Sequence, residues 1–203
     1  MVNDNSTSDL VVKPSYDIEL RDFEEGLLNF IDRHDLPTEN VLVSIEERMD
    51  VFNNLENAIS RLNSNKKKQS IYISKYIAAT AQGLFDAALN YLWDETVSEL
   101  RQRIANYDLP YFYDNAIKNP EKRKDFQTEK DLVHLNDDDL IRGAREIELI
   151  SDLGYRHLNF IRDMRNHASA AHPNQNEITG LLLVGWLQIC IRGSRSSGTI
   201  SNV

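Results

Sequence analysis

The sequence predicts an all-α protein, an antiparallel bundle of five to seven helices. Three observations predict it. Apolar residues recur at spacings of three and four along most of the chain, the pattern of helices with one face on a core. No segment combines two-residue alternation with turn chemistry; Val41-Leu42-Val43 and Ile71-Tyr72-Ile73 are short, and each adjoins a helical pattern. Only 8 Gly and 5 Pro occur in 203 residues, too few for a turn-rich β chain.

Residues 1–16 are polar and aperiodic, a loose tail. From Asp17 to His34, Leu20, Phe23, Leu27, Phe30 and Ile31 recur at helical spacing, and Pro37 closes the segment. A second helix is expected over 44–63. Ser44 and Glu47 stand at capping-box spacing, and Ile45, Phe52, Leu55, Ile59 and Leu62 form a core-facing seam too short for a free coiled coil. Lys66-Lys67-Lys68 marks a polar break, read as a solvated loop. The longest helical stretch runs from Ile71 to Asn106. Unbroken it would measure about 54 Å at 1.5 Å per residue, so a kink or break is expected near Gly83 or Trp93. Short elements follow, punctuated by Pro110 and Pro120.

Asn136 reads as an N-cap, with Asp137, Asp138 and Asp139 in the first helical turn, where negative charge suits the dipole. Three consecutive aspartates suggest a metal site only superficially, because successive helical positions point in different directions. That helix is expected to reach Asp152 and stop at Gly154. The next runs from Tyr155 to about Ala171, and a last apolar helix from Glu177 to Arg192, ended by Gly193. Residues 194–203 form a polar tail. The expected organisation is a tail (1–16), an N-terminal helical extension (17–68), a helical bundle (69–193) and a second tail (194–203).

Composition narrows the function. The net charge of −9 argues against a general nucleic-acid binder. The charge is uneven, however: residues 141–203 carry 7 Arg, no Lys and 5 acids, while the first 140 carry 16 basic and 27 acidic residues. Arginine suits two-pronged phosphate recognition. The single cysteine, Cys190, excludes an internal disulfide and a cysteine-cluster zinc site, and its apolar surroundings indicate a buried, inert thiol. No apolar stretch approaches the ~18 residues of a membrane span, and no signal peptide is visible; a cytoplasmic protein with no membrane association is expected. No glycine-rich phosphate loop, zinc-protease motif or hydrolase elbow occurs, so neither a cofactor nor a metal is expected. His34 and His134 read as surface residues near helix ends, and His157 as a helix-edge residue.

The informative stretch is Arg165-Asn166-His167-Ala168-Ser169-Ala170-Ala171-His172-Pro173. On a helix, Leu158, Ile161, Arg165, Ala168 and His172 line one face, which begins apolar and then presents a guanidinium and an imidazole. Arg165 and His172 are seven apart, about 10.5 Å along the axis, and Pro173 ends the helix at His172. An imidazole moves protons near neutral pH, and a guanidinium holds a phosphate and stabilises transition-state charge. RNA supplies its own nucleophile, the 2′-OH, so no Ser, Cys or metal is required. An Arg that makes a salt bridge and a His that ends a helix before Pro fit the same spacing. The small residues at 168, 170 and 171 permit close approach of a second chain, so dimerisation through this face is expected.

This segment resembles the signature of the HEPN superfamily: an Arg, usually followed by Asn, His or Asp, then a His, with four to six residues between the Arg and the His. Here six residues intervene. The resemblance covers about Gln69 to Gly193. It implies a helical bundle that dimerises so that two Arg–His motifs share a cleft, and a metal-independent endoribonuclease of antiviral defence or toxin–antitoxin systems, acting on RNA and held in check by an antitoxin or other regulatory partner. Carried over, Arg165 and His172 are catalytic, and Asn166 and His167 supporting. Asp94 and Glu95 are weaker candidates for the acidic residue that family members carry on an earlier core helix. The His-x-Tyr extension of some toxin members is absent, since Pro173 and Asn174 follow His172. Some members are non-catalytic, which leaves open a helical oligomerisation or interaction module of a larger defence protein, or a regulatory domain that binds a nucleotide without cleaving it.

Overall fold

The structure is a computed structural model and describes residues 16–62, 64–169 and 178–193. Within them the protein is all-helical, with ten α-helices, one 3₁₀-helix and no strand. The tails at 1–15 and 194–203 lie outside the described residues.

The chain forms two compact units, residues 1–39 and 40–203. The first contains α1 (Tyr16–Asp32). In it Phe23 and Phe30 are exposed, and Phe30 meets His34 edge-on at 4.7 Å. The second unit holds the core. It begins with α2 (Ile45–Ile59), whose Ser44 cap accepts from the Glu47 amide. The expected seam is present, for Ile45, Leu55 and Leu62 are buried. It is wider than the pattern implied: Val51, Ala58 and the charged Arg48 are completely buried. The sequence places this helix in an extension ending at residue 68, yet the unit boundary falls at 39/40. The reason is long-range packing. The buried face of α2 packs on α10 (Gly180–Gly193), and the Gly180 amide donates to Glu47 Oε2 at 2.5 Å. A Cβ at Gly180 would lie 2.1 Å from the Glu47 carbonyl oxygen, so only glycine permits this approach.

The lysine run is helical rather than a loop. It forms α3 (Ser64–Gln69), with Lys66 paired to Glu99 at 2.5 Å. The long apolar stretch breaks at Gly83 into α4 (Ile71–Ala81) and α5 (Phe85–Ala105). Gly83 takes φ +74°, and the Leu84 and Gly83 amides turn back to the Ala79 and Thr80 carbonyls, a Schellman stop. Arg48 occupies the space beside it: its Nε donates to the Val43 carbonyl at 2.7 Å and lies 2.6 Å from where a Gly83 Cβ would be.

Next come α6 (Leu109–Ala116), α7 (Pro120–Arg123) and the 3₁₀-helix Glu129–His134. As expected, Asn136 caps α8 (Asp137–Glu146), its Oδ1 accepting from the Asp139 amide at 2.8 Å. This helix does not reach Asp152. Glu148 adopts φ +57°, and the Leu149 and Glu148 amides close a second Schellman stop on the Ala144 and Arg145 carbonyls. Gly154 therefore ends nothing. It lies in the first turn of α9 (Asp152–Ser169) and donates to the Ser151 hydroxyl at 3.1 Å. Thr179 Oγ1 accepts from the Leu182 amide at the start of α10, while Glu177 lies outside the described residues. The helix count exceeds the expected five to seven because one periodic stretch splits at Gly83 and the short elements coil.

α5 is the centre of the second unit. It packs against α4, α6, α8, α9 and α10, and nine of its side chains, from Phe85 to Ile104, are buried. Cys190 of α10 is buried, as expected of an inert thiol; burial pushes its pKa up to about 12 against a hydrogen bond involving Thr96. No helix among the described residues is long and apolar enough to cross a membrane.

The two helix stops differ in residue type and generate opposite expectations. Gly83→Ala forces a side chain into a left-handed position and against a buried guanidinium, and should destabilise by ~2 kcal/mol or more. Glu148→Gly relieves the same strain and should be neutral to stabilising by up to ~1 kcal/mol. Urea denaturation of both variants checks the pair.

Candidate functional site

The site is built outward from α5. Trp93 is 1% exposed, and a buried indole N–H needs an acceptor. Nε1 donates to Asp137 Oδ2 at 2.7 Å. The Asn136 cap starts α8 at this point and so aims its first carboxylate at the indole. Asp137 Oδ2 also accepts from Arg165 Nη2 at 3.0 Å. The Arg165 guanidinium carbon lies 5.4 Å from the Trp93 ring centroid, within cation–π range. Asn166 Oδ1 completes the cradle, accepting from Arg165 Nε at 3.2 Å and Nη2 at 2.9 Å. The Arg165 and Asp137 side chains are 24% and 26% exposed, which puts the pair at the margin of the core.

A guanidinium has five N–H donors. The cradle engages those on Nε and Nη2, and Nη1 makes no hydrogen bond among the described residues. Arg165 is thus oriented by its Nε–Nη2 edge.

The three aspartates diverge, as their positions require. Asp137 faces Trp93 and Arg165, Asp138 takes Arg162 at 2.7 Å, and Asp139 pairs with Arg142 and with Lys122 at 3.5 Å. Among the described residues no group of three His, Cys, Asp or Glu is placed to hold a metal ion.

The packing changes the reading of part of the stripe expected to mediate dimerisation. Leu158 and Ile161 are 5% and 0% exposed and belong to the chain's own core, and Ala168 packs against that core. Among the described residues of this face only Arg165 offers a polar edge. Its neighbours Asn166 and His167 are exposed. His167 Nδ1 lies 2.7 Å from the Asp163 carbonyl oxygen. Because a carbonyl only accepts, Nδ1 carries the proton of this bond. His172 lies outside the described residues.

The two weaker carboxylate candidates separate. Asp94 stands on α5 next to Trp93. Partial burial raises its pKa; Arg165 opposes this, Asp137 adds to it, and Lys75 and Arg101 oppose it. Asp94 is thus within electrostatic reach of Arg165. Glu95 instead lines a shallow cleft with Lys66, Thr96, Glu99 and Cys190. Sequence reasoning missed Asp137 and Trp93 as site residues. Asp137 was legible only as a capping-turn carboxylate and Trp93 only as an apolar helix position. Of the other histidines, His34 and His134 are exposed and His157 half-buried.

No family model, curated protein or solved structure matches the chain.

The shared carboxylate gives a graded expectation. Asp137→Asn keeps an oxygen for the indole but loses the charge facing Arg165, and should cost ~1 kcal/mol. Asp137→Ala leaves the buried indole N–H without its acceptor and should cost ~2–3 kcal/mol. Thermal and urea unfolding of both variants, with tryptophan fluorescence to follow the indole environment, checks the order.

Proposed function

We propose that the protein is a metal-independent endoribonuclease in which residues 69–193 form an antiparallel HEPN-like bundle and Arg165 and His172 act on an RNA phosphodiester. The observation that carries this reading is the state of Arg165. Its guanidinium is oriented by Asp137, Asn166 and Trp93, and Nη1 is left without a hydrogen-bond partner among the described residues. A preorganised donor edge aimed where charge develops is the arrangement that stabilises a transition state.

In this mechanism the imidazole of His172 takes the proton from the 2′-OH. The oxygen attacks the adjacent phosphorus, and the 5′-oxygen leaves with a proton returned from an acid. Arg165 Nη1 holds a non-bridging oxygen as its charge grows. Asn166 and Asp137 position the guanidinium rather than touch substrate. In this proposal a second copy supplies a facing Arg165 and His172, doubling the cations on one phosphate. With Leu158 and Ile161 committed to the core, the shared surface uses the exposed Asn166 and His167. Prokaryotic antiviral defence or a toxin–antitoxin pair, with a regulatory partner restraining cleavage in the cytoplasm, is the setting this chemistry fits.

A second reading has its own observation. Arg165 bridges α8 and α9 through Asp137 at 3.0 Å. That contact alone suits a non-catalytic helical interaction module, with the arginine as a clamp.

Incubation with total cellular RNA separates the two. Cleavage should survive EDTA and leave 2′,3′-cyclic phosphate ends. His172→Ala should lower the rate by ~10²–10⁴-fold with the melting temperature unchanged. Loss of activity in EDTA with rescue by a divalent ion overturns the mechanism, and absence of cleavage by the wild type favours the clamp.

The shared cleft has a separate test. His167→Glu introduces a charge at an exposed position beside the motif, and a two-fold interface repeats it on both protomers. Light scattering at micromolar concentration should show a wild-type dimer that this variant weakens.

A further inference from the structure

α1 belongs to the first unit, residues 1–39, and none of its residues from Ile18 to Asp32 is buried. A single helix of this length is marginal in water, because most helical stability in proteins comes from packing an apolar face. α1 has such a face. Leu20, Phe23, Leu27 and Phe30 follow at steps of three, four and three, the seam by which one helix packs along another. Leu20 and Leu27 are half-buried, while Phe23 and Phe30 are 46% and 61% exposed. Gly26 stands beside the seam, and a Cβ there would meet nothing within 4 Å. A glycine inside a helix costs stability, and packing among the described residues supplies no reason for this one.

The residues flanking the seam define what can cover it. Leu20 and Leu27 take the first position of a heptad, and Phe23 and Phe30 the fourth. Glu19, Gly26 and Arg33 then lie along one flank, Glu24 and Ile31 along the other. Arg33 continues the last helical turn, its amide donating to the Asn29 carbonyl at 3.2 Å, and both Glu19 and Arg33 are exposed. In a parallel pair of α1 helices, Glu19 of each copy faces the partner's Glu24, a repulsion made twice. In an antiparallel pair the first flank meets itself: Glu19 faces the partner's Arg33, and Gly26 faces the partner's Gly26. Two attractions then stand against one Glu24–Glu24 contact on the other flank. The core layers match as well. Leu20 meets the partner's Phe30 and Phe23 the partner's Leu27, so each aromatic ring opposes an aliphatic side chain, and the facing glycines let the two backbones approach.

We propose that α1 is a self-association helix. It pairs antiparallel with α1 of a second copy about a two-fold axis beside Gly26, with Leu20, Phe23, Leu27 and Phe30 as the core and Glu19 clasping the partner's Arg33. The proposal goes beyond the ribonuclease reading and does not rest on it, since α1 and the Arg165 site lie in different units. Four core layers make a small interface, of the size of weak, reversible complexes. The clasp is formed by exposed charges, so it weakens with salt and sets orientation more than affinity.

Sedimentation velocity of the full chain between 5 and 200 μM, at 50 mM NaCl, measures the dissociation constant. Phe30→Ser acts twice in a two-fold interface and should raise that constant about 10²-fold, with the melting temperature unchanged. Glu19→Arg and Arg33→Glu each set like charges face to face and should each raise it about tenfold. The double variant Glu19→Arg/Arg33→Glu restores the opposite charges and should return the constant to within about threefold of wild type, a rescue that loss of helix alone would not give. A double variant no tighter than the single ones overturns the antiparallel pairing. A dimer that survives Phe30→Ser but yields to His167→Glu overturns the pairing of α1 and supports the shared cleft. One that yields to Phe30→Ser and not to His167→Glu does the reverse, and one that yields to either supports both. A wild type that is monomeric at 200 μM overturns both.

Discussion

The burial of Trp93 is the constraint from which the site follows. α5 packs on five other helices, and its indole is enclosed at the junction with α8 and α9. An enclosed indole N–H without an acceptor is costly, and Asp137 at the first position of α8 supplies one. A carboxylate withdrawn from water needs positive charge, and Arg165 of α9 supplies that. One hydrogen bond thus fixes where α8 starts relative to α5, and the ion pair fixes the end of α9 relative to both. Asp138 with Arg162 and Asp139 with Arg142 repeat the logic around the same turn.

That chain of compensation bears on function because it leaves Arg165 oriented but not exhausted. An arginine fully enclosed by carboxylates would be only a clamp, and one free in solvent would pay for ordering when it met a phosphate. Here the guanidinium rests on an aromatic face with one edge held and Nη1 free of partners among the described residues. The same geometry explains why Leu158 and Ile161 are not exposed to a partner: those residues carry α9 into the core and so deliver Arg165 to its margin. The polar character of the site comes from the last turns of α9, and the apolar character beneath it from the chain's own packing.

The sequence by itself determined the helical class, because periodicity and the scarcity of turn residues are local properties. It determined the caps at Ser44 and Asn136, the divergence of Asp137, Asp138 and Asp139, and the buried Cys190, each of which depends on a few neighbouring residues. It marked Gly83 as one of two places where the long stretch could break. It singled out Arg165 and Asn166, which the structure joins through side-chain hydrogen bonds.

What tertiary structure alone decided are the pairings between residues far apart in the chain. Nothing near Asp137 announces Trp93, 44 residues away, or Arg165, 28 away. The partner of α2 is α10, whose Gly180 stands 133 residues from Glu47, so the division of the chain falls at 39/40 and not at the lysine run. The stop of α8 at Glu148 escaped sequence reasoning because glycine is the ordinary signal for a left-handed cap, and here a glutamate adopts it. The core enforces that conformation: Leu149 and Ile150 are buried immediately after it, and their burial outweighs about 1–2 kcal/mol of backbone strain. Local chemistry proposes helices and caps, and long-range burial chooses which charges meet.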